Sequence, residues 1–182
     1  YRKISFYKLI KNSAIIFTVS NTARIGIEKI SLLNNLKTNE IYIVHNASDI
    51  DEIREYKKQK NFICVTGEHP QKNYKSIIKS LNLLPINSLA GWKLYLVGLN
   101  HNSEEEHKSG VNIIRTKYLP SNKIRQLYKT AYCLIFPSLY ESFGIPLVDA
   151  LKSKCHIIAS NNGASFEVCG NSAIYFNPHS AN

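Results

Sequence analysis

Residues 132–152 read YCLIFPSLYESFGIPLVDALK, and this stretch decides which fold is expected. An uninterrupted apolar run, 133–136, leads into a turn that contains Pro, Ser and Gly, and the turn leads into a helical pattern. An apolar run without polar alternation is typical of a strand that is covered by helices on both faces of its sheet. The stretch therefore predicts one strand, loop and helix of a parallel α/β sheet.

The same alternation of short apolar runs and longer amphipathic stretches continues from Asn61 onward. Further strands are predicted at 62–66, 93–97, 112–115, 132–136, 156–159 and 173–176. Helices are predicted at 74–83, around 103–109, at 122–130 and at 145–153. This order predicts a doubly wound, Rossmann-like α/β domain.

The first 60 residues follow a different pattern. Two strands, 13–20 and 40–44, are predicted on either side of a helix at 22–36, and a polar run, 49–60, follows. We interpret residues 1–48 as the end of a preceding domain and its linker, and residues 49–182 as a ligand-binding domain. The chain begins at Tyr1 and contains no methionine, from which we expect it to be part of a longer polypeptide.

Composition and charge narrow the function classes. The net charge is +10, but residues 1–60 carry 11 basic and 6 acidic side chains and residues 61–182 carry 12 and 7, so neither part is a basic tail. A solvated, lysine-rich surface explains this better than nucleic-acid binding, since no aromatic-basic recognition motif is present. The four scattered cysteines predict buried, reduced thiols and a cytoplasmic location. No apolar run approaches the roughly 20 residues of a membrane span.

Two loops are the candidate ligand site, because ligands of open parallel sheets bind beyond the carboxyl ends of the strands. The loop after the first predicted strand of this domain contains Gly67 and delivers Lys72, which can meet a phosphate as a point charge. The loop after 132–136 contains Gly144, and Pro146 suits the first turn of the helix that follows. The start of that helix would direct backbone N–H groups at an anion such as a diphosphate.

Two acids flank this second loop. Glu141 lies before the helix and Asp149 about one turn inside it, where carboxylates could accept hydrogen bonds from sugar hydroxyls. On spacing alone an ordinary interpretation stands equally well. Glu141 would then complement the helix N-terminus, and Asp149 would be a solvent-facing helical acid.

From about residue 13 to residue 178 the sequence resembles the retaining glycosyltransferases of GT-B fold. The resemblance is to the large group 1 family, which includes many bacterial mannosyl-, glucosyl- and rhamnosyltransferases. Its most specific part is 137–149, two acids separated by seven residues around Phe143-Gly144. Gly67, Lys72-Asn73 and the stretches 124–131 and 167–171 support it. The resemblance implies that 49–182 is the C-terminal, nucleotide-sugar-binding half of a GT-B fold, here without its closing helix.

The resemblance also implies roles for single residues. Lys72 would contact the donor diphosphate, Glu141 the transferred sugar, and these two are the candidate catalytic residues. Asp149 would bind the nucleotide ribose. The family's donor-binding positions correspond to Gly67, Lys72, Tyr118, Leu119, Glu141, Phe143, Gly144, Ile145 and Asp149. No metal ion and no cofactor besides the nucleotide sugar is implied. Glu167 matches a family acid on the donor side, although it could instead cap a short helix.

Three departures from the family pattern affect these expectations. The second acid is usually Glu, and Asp149 is shorter by one methylene. The arginine often found in the first loop is missing, since its places hold Glu68 and Gln71. The Asn-Gly turn usual at the interdomain linker reads as His45-Asn46-Ala47.

The leading hypothesis is therefore hexose transfer from a nucleotide-diphosphate sugar to a glycan or lipid-linked acceptor. This chain would supply the donor site, and on its own it is expected to bind donor without transferring sugar. Peripheral association of the parent enzyme with the inner face of the cell membrane is a weaker expectation. A non-catalytic nucleotide-binding module is the alternative, and a nucleic-acid-binding domain ranks last.

Overall fold

The computed structural model describes residues 2–37, 39–50, 56–99 and 107–180. The described strands are β1 Ile15–Thr18, β2 Glu40–Ile43, β3 Gln59–Val65, β4 Lys93–Val97, β5 Asn112–Thr116, β6 Ala131–Phe136, β7 His156–Ser160 and β8 Ile174–Phe176. The described helices are α1 Arg2–Asn12, α2 Asn21–Leu33, α3 Tyr74–Leu81, α4 Ser121–Thr130, α5 Ile145–Lys152 and α6 Gly163–Cys169, with a 3-10 turn at Pro70–Lys72.

Six strands form one parallel sheet in the order β5-β4-β3-β6-β7-β8. The chain builds outward from β3 to β5, returns through α4 to the other side of β3, and then builds outward again to β8. The strand order thus reverses between β3 and β6, and ligands of such sheets bind in the crevice outside the carboxyl ends of the strands at that reversal. The predicted doubly wound α/β fold is confirmed.

A separate two-stranded sheet precedes this domain. Strands β1 and β2 pair in parallel, with Ile15 opposite Glu40 and Thr18 opposite Ile43. Parallel neighbours need a crossover connection, and α2 supplies it, so this segment is a βαβ unit. The linker after β2 contributes Ile50, which is 4% exposed, to the core of the larger sheet.

The core lies on both faces of the six-stranded sheet. Because side chains alternate along a strand, Ile63 of β3 faces the cluster under α4 and α5, and its neighbour Cys64 faces the cluster under α3. All four cysteines are buried and free, as predicted. Burial raises the pKa of Cys64 and Cys133 to about 12 and that of Cys155 and Cys169 to about 11.

Two helices were not expected from the sequence. Helix α1 has no acidic residue in its first turn, so it lacks a usual start signal. Helix α6 has Asn162 as its N-cap and Gly170 after its end, but at seven residues it is too short to show a clear helical periodicity. Of the helix expected around 103–109, residues 103–106 lie outside the described part and 107–109 are not helical. No helix in the described ranges has the length and apolar composition needed to cross a bilayer.

Among the glycines, Gly98, directly after β4, leaves the least room for a side chain. Its φ is +110°, and a Cβ there would lie 2.2 Å from the carbonyl oxygen of Thr66. Gly98→Ala should therefore lower the free energy of unfolding by about 1–3 kcal/mol. Gly67→Ala is the matched control, because a Cβ at Gly67 meets nothing within 4 Å. Thermal denaturation of both variants measures the difference in stability. Equal melting temperatures would contradict the prediction that a side chain is tolerated less well at Gly98 than at Gly67.

Candidate functional site

The loops that follow β3 and β6 meet where the strand order reverses. The backbone N–H of Leu139 donates to the carbonyl oxygen of Gln71 at 2.8 Å. The side-chain amide of Asn73 donates to the carbonyl oxygen of Pro137 at 3.2 Å. Asn73 has a φ of +50°, a left-handed conformation that asparagine tolerates better than most residues. These bonds fix the two predicted site loops against each other.

Lys72 and Glu141 form an ion pair across this junction. The Lys72 Nζ donates to Glu141 Oε1 at 2.7 Å, and the two side chains are only 26% and 15% exposed. The pair therefore lies partly out of water, where charges interact more strongly than on an open surface. The fold thus brings together a cation and a carboxylate, the two residues for which the resemblance implies a catalytic role.

The ion pair borders a cleft of about 280 Å³. The cleft is lined by Val19, Asn46, Lys72, Glu141, Ser142, Phe143, Gly144, Ile145 and Pro146. Five of the predicted donor-binding residues are in this set, namely Lys72, Glu141, Phe143, Gly144 and Ile145. Val19 and Asn46 were not predicted, since they belong to the preceding segment and the linker.

Helix α5 begins at the floor of the cleft. Gly144 precedes its first residue with a φ of +100°, and a Cβ at Gly144 would come 2.9 Å from Leu147 Cδ1, so glycine is required there. The first N–H groups of an α-helix lack partners in the preceding turn and carry the positive end of its dipole. In α5 Pro146 has no N–H and the Leu147 N–H donates to the Gly144 carbonyl oxygen at 2.9 Å, so the Ile145 N–H is the group at the helix start that remains for an anion. The start of α5 can thus accept an anion beside the Lys72 ammonium group.

The loop after β7 braces the entry to this region. The hydroxyl group of Ser160 donates to the carbonyl oxygen of Ser138 at 2.5 Å, and the side-chain amide of Asn162 donates to the same oxygen at 3.0 Å. Ser138 itself is 1% exposed. The backbone that leads from β6 to Glu141 is therefore held from both neighbouring strands.

The preceding segment forms the second wall of the cleft. The hydroxyl group of Ser20 donates to the carbonyl oxygen of Ser142. The His45 ring stacks on the Phe143 ring with centroids 5.5 Å apart, and His45 Nδ1 lies 3.0 Å from the Val19 carbonyl oxygen. A sequence signal did exist for Ser20, because serine before a helical run is a common N-cap, but nothing local indicated its partner.

Glu167 holds the start of α2 and does not line the cleft. The backbone N–H groups of Asn21 and Thr22 donate to its carboxylate at 2.5 and 2.9 Å, and the Thr22 hydroxyl group donates at 3.0 Å. Burial acts to raise the pKa of Glu167, but these bonds and the attraction of His45 outweigh it and lower the pKa below its ordinary value. Gly163 allows the close approach, since a Cβ there would lie 3.0 Å from Thr22 Oγ1.

Asp149 lies on α5 beneath the linker and is not among the residues that line the 280 Å³ cleft. The hydroxyl group of Ser48 donates to Asp149 Oδ1 at 2.5 Å. Burial raises the pKa of Asp149, and the hydrogen bond from Ser48 opposes that shift. The interpretation of Asp149 as a merely solvent-facing acid does not fit this half-buried, hydrogen-bonded position.

The three remaining predicted residues lie away from the cleft. Tyr118 is 78% exposed after β5. Leu119 borders a separate pocket of about 200 Å³, which is also lined by Tyr95, Thr116, Lys123, Gln126 and Leu127. Gly67 follows β3 and faces open space. Their contact with a nucleotide stays a prediction.

Comparison with known proteins gives the family. Residues 45–181 match the family described as glycosyl transferases group 1. Over 97% of its length the chain is 32% identical to the O-antigen chain mannosyltransferase RfbU of Salmonella typhimurium, of which it covers 52%. It is 22% identical to the O-antigen chain mannosyltransferase B of Escherichia coli, covering 51% of that protein and 98% of itself. The chain thus spans about half the length of these curated relatives.

Solved structures agree with the fold. Anabaena HepE in complex with UDP-glucose superimposes with a TM-score of 0.73 at 13% identity, over 98% of this chain and 54% of that one. The pneumococcal O-GlcNAc transferase GtfA in complex with UDP and GlcNAc gives 0.74 at 12% identity, over 100% of this chain and 38% of that one. At these identities the likeness concerns the fold alone.

The Glu167 contact can be tested by its dependence on pH. Glu167→Gln should lower the free energy of unfolding by about 0.5–2 kcal/mol at neutral pH, the range for loss of a helix cap. Because the pKa is lower in the folded state, the stabilisation is present above the unfolded-state pKa and is lost as pH falls through the folded-state pKa. In urea-denaturation measurements the two proteins should therefore converge as the pH falls through the folded-state pKa, which lies below the ordinary value for glutamate.

Glu28→Gln is the control for this measurement, since Glu28 lies on the same helix in an exposed pair with Arg24 at 3.9 Å. Its loss should change the free energy of unfolding by no more than about 0.5 kcal/mol. A Glu167→Gln effect that is no larger than the control, or that does not depend on pH, would show that the carboxylate does not stabilise the start of α2.

Proposed function

This chain belongs to the glycosyl transferases of group 1, and from that premise we propose that it binds a nucleotide-diphosphate sugar whose hexose the complete gene product transfers to a glycan. Residues 49–182 form the donor-binding domain of the proposal, and residues 1–48 are the end of an acceptor-side domain with its linker. The burial of Ile50 in the core of the larger sheet supports a division just before it.

The observation that carries the proposal is the Lys72–Glu141 pair beside the start of α5. Leaving-group chemistry on a nucleotide sugar develops negative charge on the diphosphate, and preorganised cations and N–H groups stabilise such charge. Lys72 and the amides from Phe143 to Ile145 would supply that stabilisation. Glu141 would accept a hydrogen bond from a hydroxyl group of the transferred sugar, and this contact would orient the anomeric carbon.

Mannose is the sugar we propose first, because both curated relatives named above are mannosyltransferases of O-antigen chains. The acceptor in the proposal is a growing polysaccharide or lipid-linked glycan. We further propose that the anomeric configuration is retained. Inversion by direct displacement needs a general base that deprotonates the acceptor. Among the described residues that line the cleft, Glu141 alone carries a carboxylate, and its ion pair with Lys72 makes it poorly suited to that role.

The proposal includes no metal ion and no cofactor other than the donor. Lys72 and the start of α5 together would neutralise much of the diphosphate charge, the work that a divalent ion does in other transferases. Donor binding that persists in excess EDTA would support this. A cytoplasmic site of action, at the inner face of the cell membrane for a lipid-linked acceptor, completes the proposal, and nucleic acid has no part in it.

Nucleotide binding tests the donor site directly. We expect one of UDP, GDP and ADP to bind this chain saturably in calorimetric titration. Lys72→Ala should weaken that binding roughly 10- to 100-fold, because a hydrogen bond to a charged group is lost. The control is Lys75→Ala, which removes an exposed lysine of α3 three residues away. Equal effects of the two substitutions would show that only net charge matters.

Glu141→Gln separates catalysis from mere nucleotide binding. The variant should leave affinity for the nucleoside diphosphate within about threefold, since Lys72 and the α5 amides remain, but should lower the rate of sugar transfer at least tenfold. Transfer is measured with the complete gene product, GDP-mannose and other nucleotide sugars, and NMR of the product identifies the anomer. Nucleotide-sugar binding that is insensitive to Glu141 and accompanied by no transfer would favour a non-catalytic nucleotide-binding module.

A further inference from the structure

The linker residue Ser48 is bonded to α5 at two points. Its hydroxyl group donates to Asp149 Oδ1 at 2.5 Å, and its carbonyl oxygen accepts a hydrogen bond from Lys152 Nζ at 2.9 Å. Ser48 is 8% exposed although it lies in a linker. Two bonds to residues three apart on one helix fix both the side chain and the backbone of Ser48 over that helix.

The direction of the hydroxyl group follows from a third bond. The backbone N–H of Ile50 donates to Ser48 Oγ at 3.1 Å and therefore occupies a lone pair of that oxygen. A serine hydroxyl has one hydrogen to donate, and the carboxylate of Asp149 is the acceptor within reach. The Ile50 N–H thus donates to Ser48, and Ser48 donates to Asp149. The second hydrogen bond occupies one of the roughly four acceptor positions of the carboxylate.

Asp149 lies on the same face of α5 as Ile145, which lines the cleft, because residues four apart on a helix are neighbours. Its side chain is one methylene shorter than the glutamate usual at this position in the family. A shorter side chain reaches less far, so its hydrogen bonding to a ligand depends more on the orientation of the carboxylate. The hydrogen bond from Ser48 fixes that orientation.

We propose that Ser48 is a positioning residue for donor recognition: it holds one oxygen of Asp149 so that the other oxygen is presented to the ribose hydroxyls of the nucleotide. The inference rests on the proposed function and on the ribose-binding role that the family resemblance implies for Asp149. It couples the interdomain linker to nucleotide binding, because the same serine that aims Asp149 belongs to the segment joining β2 to β3.

The charge balance around Asp149 makes this contact measurable. Burial raises the pKa of Asp149, the Ser48 hydrogen bond lowers it, the neighbouring Asp49 raises it, and Lys152 and Arg125 lower it. Tyr128 of α4 lies near enough to interact with Asp149: burial raises the pKa of this tyrosine, and the negative charge of Asp149 adds to that rise. Removing the Ser48 hydroxyl group therefore leaves a carboxyl group that protonates at a higher pH and accepts ribose hydrogen bonds less well.

A double-mutant cycle with Ser48→Ala and Asp149→Asn tests the inference. In calorimetric titration with the nucleoside diphosphate that binds, Ser48→Ala should weaken affinity roughly tenfold near pH 6, and the loss should shrink as the pH rises. Ser48→Thr, which keeps the hydroxyl group, should restore most of the affinity. In the Asp149→Asn background the same Ser48→Ala change should have little further effect, because the two residues act as a unit.

Several outcomes would overturn the inference. One is an unchanged nucleotide affinity in Ser48→Ala. Another is an equal loss of affinity from Ser48→Ala in the native and Asp149→Asn backgrounds, which would indicate a general effect on folding. Absence of nucleotide binding by the unmodified chain is a failure of the proposed function instead. In that case ¹³C NMR titration of labelled aspartate tests the Ser48–Asp149 contact separately: a higher Asp149 pKa in Ser48→Ala demonstrates the hydrogen bond, and an unchanged pKa overturns the inference.

Discussion

The parallel pairing of β3 with β6 is the constraint on which the candidate site depends. Phe62 and Ile63 lie opposite Cys133 and Leu134, so the two strands end at the same edge of the sheet and their loops emerge side by side. Lys72 and Glu141, 69 residues apart in the chain, can then meet at 2.7 Å. The strand order reverses at this pair, where ligands of open parallel sheets bind, and the loops after both strands line the 280 Å³ cleft.

The preceding βαβ segment and its linker contribute one wall of the cleft, through Val19 and Asn46. Three contacts join them to the larger domain. Ser20 donates a hydrogen bond to Ser142, the His45 ring stacks on Phe143, and the start of α2 donates hydrogen bonds to Glu167. Each of these contacts joins the segment or its linker to a loop or short helix near the proposed donor-binding positions. Movement of this segment relative to the sheet would therefore change the width of the cleft directly.

The fold and the centre of the candidate site could be predicted from the sequence because their signals are local. The apolar run that ends at Phe136, the φ-permissive Gly144 and the acid at Glu141 lie within nine residues, and the strand and turn chemistry can be inferred without knowing the rest of the chain. Lys72 could be found because it follows a strand in the same way.

What could not be predicted depends on contacts between distant segments. Val19 and Asn46 line the cleft only because the βαβ segment packs against it. The carboxylate of Glu167 is 145 residues from Thr22, and no local pattern distinguishes a ligand-facing acid from one that caps another helix. The family resemblance singled out Asp149, but its hydrogen bond to Ser48, 101 residues earlier, depends on the path of the linker. Helix α1 was missed for a different reason, the lack of start signals.

The burial of the native cysteines has a practical consequence for measuring opening and closing of the cleft. With pKa values of about 11 to 12, fewer than about one thiol in a thousand is ionised at neutral pH, and the thiolate is the reactive form. Maleimide dyes and spin labels should therefore leave the native thiols largely untouched while the chain stays folded. One cysteine introduced on the exposed side of α2 and another on α3 would accept a fluorophore pair without any prior removal of native cysteines. The distance between the two dyes would report opening and closing of the cleft, one molecule at a time.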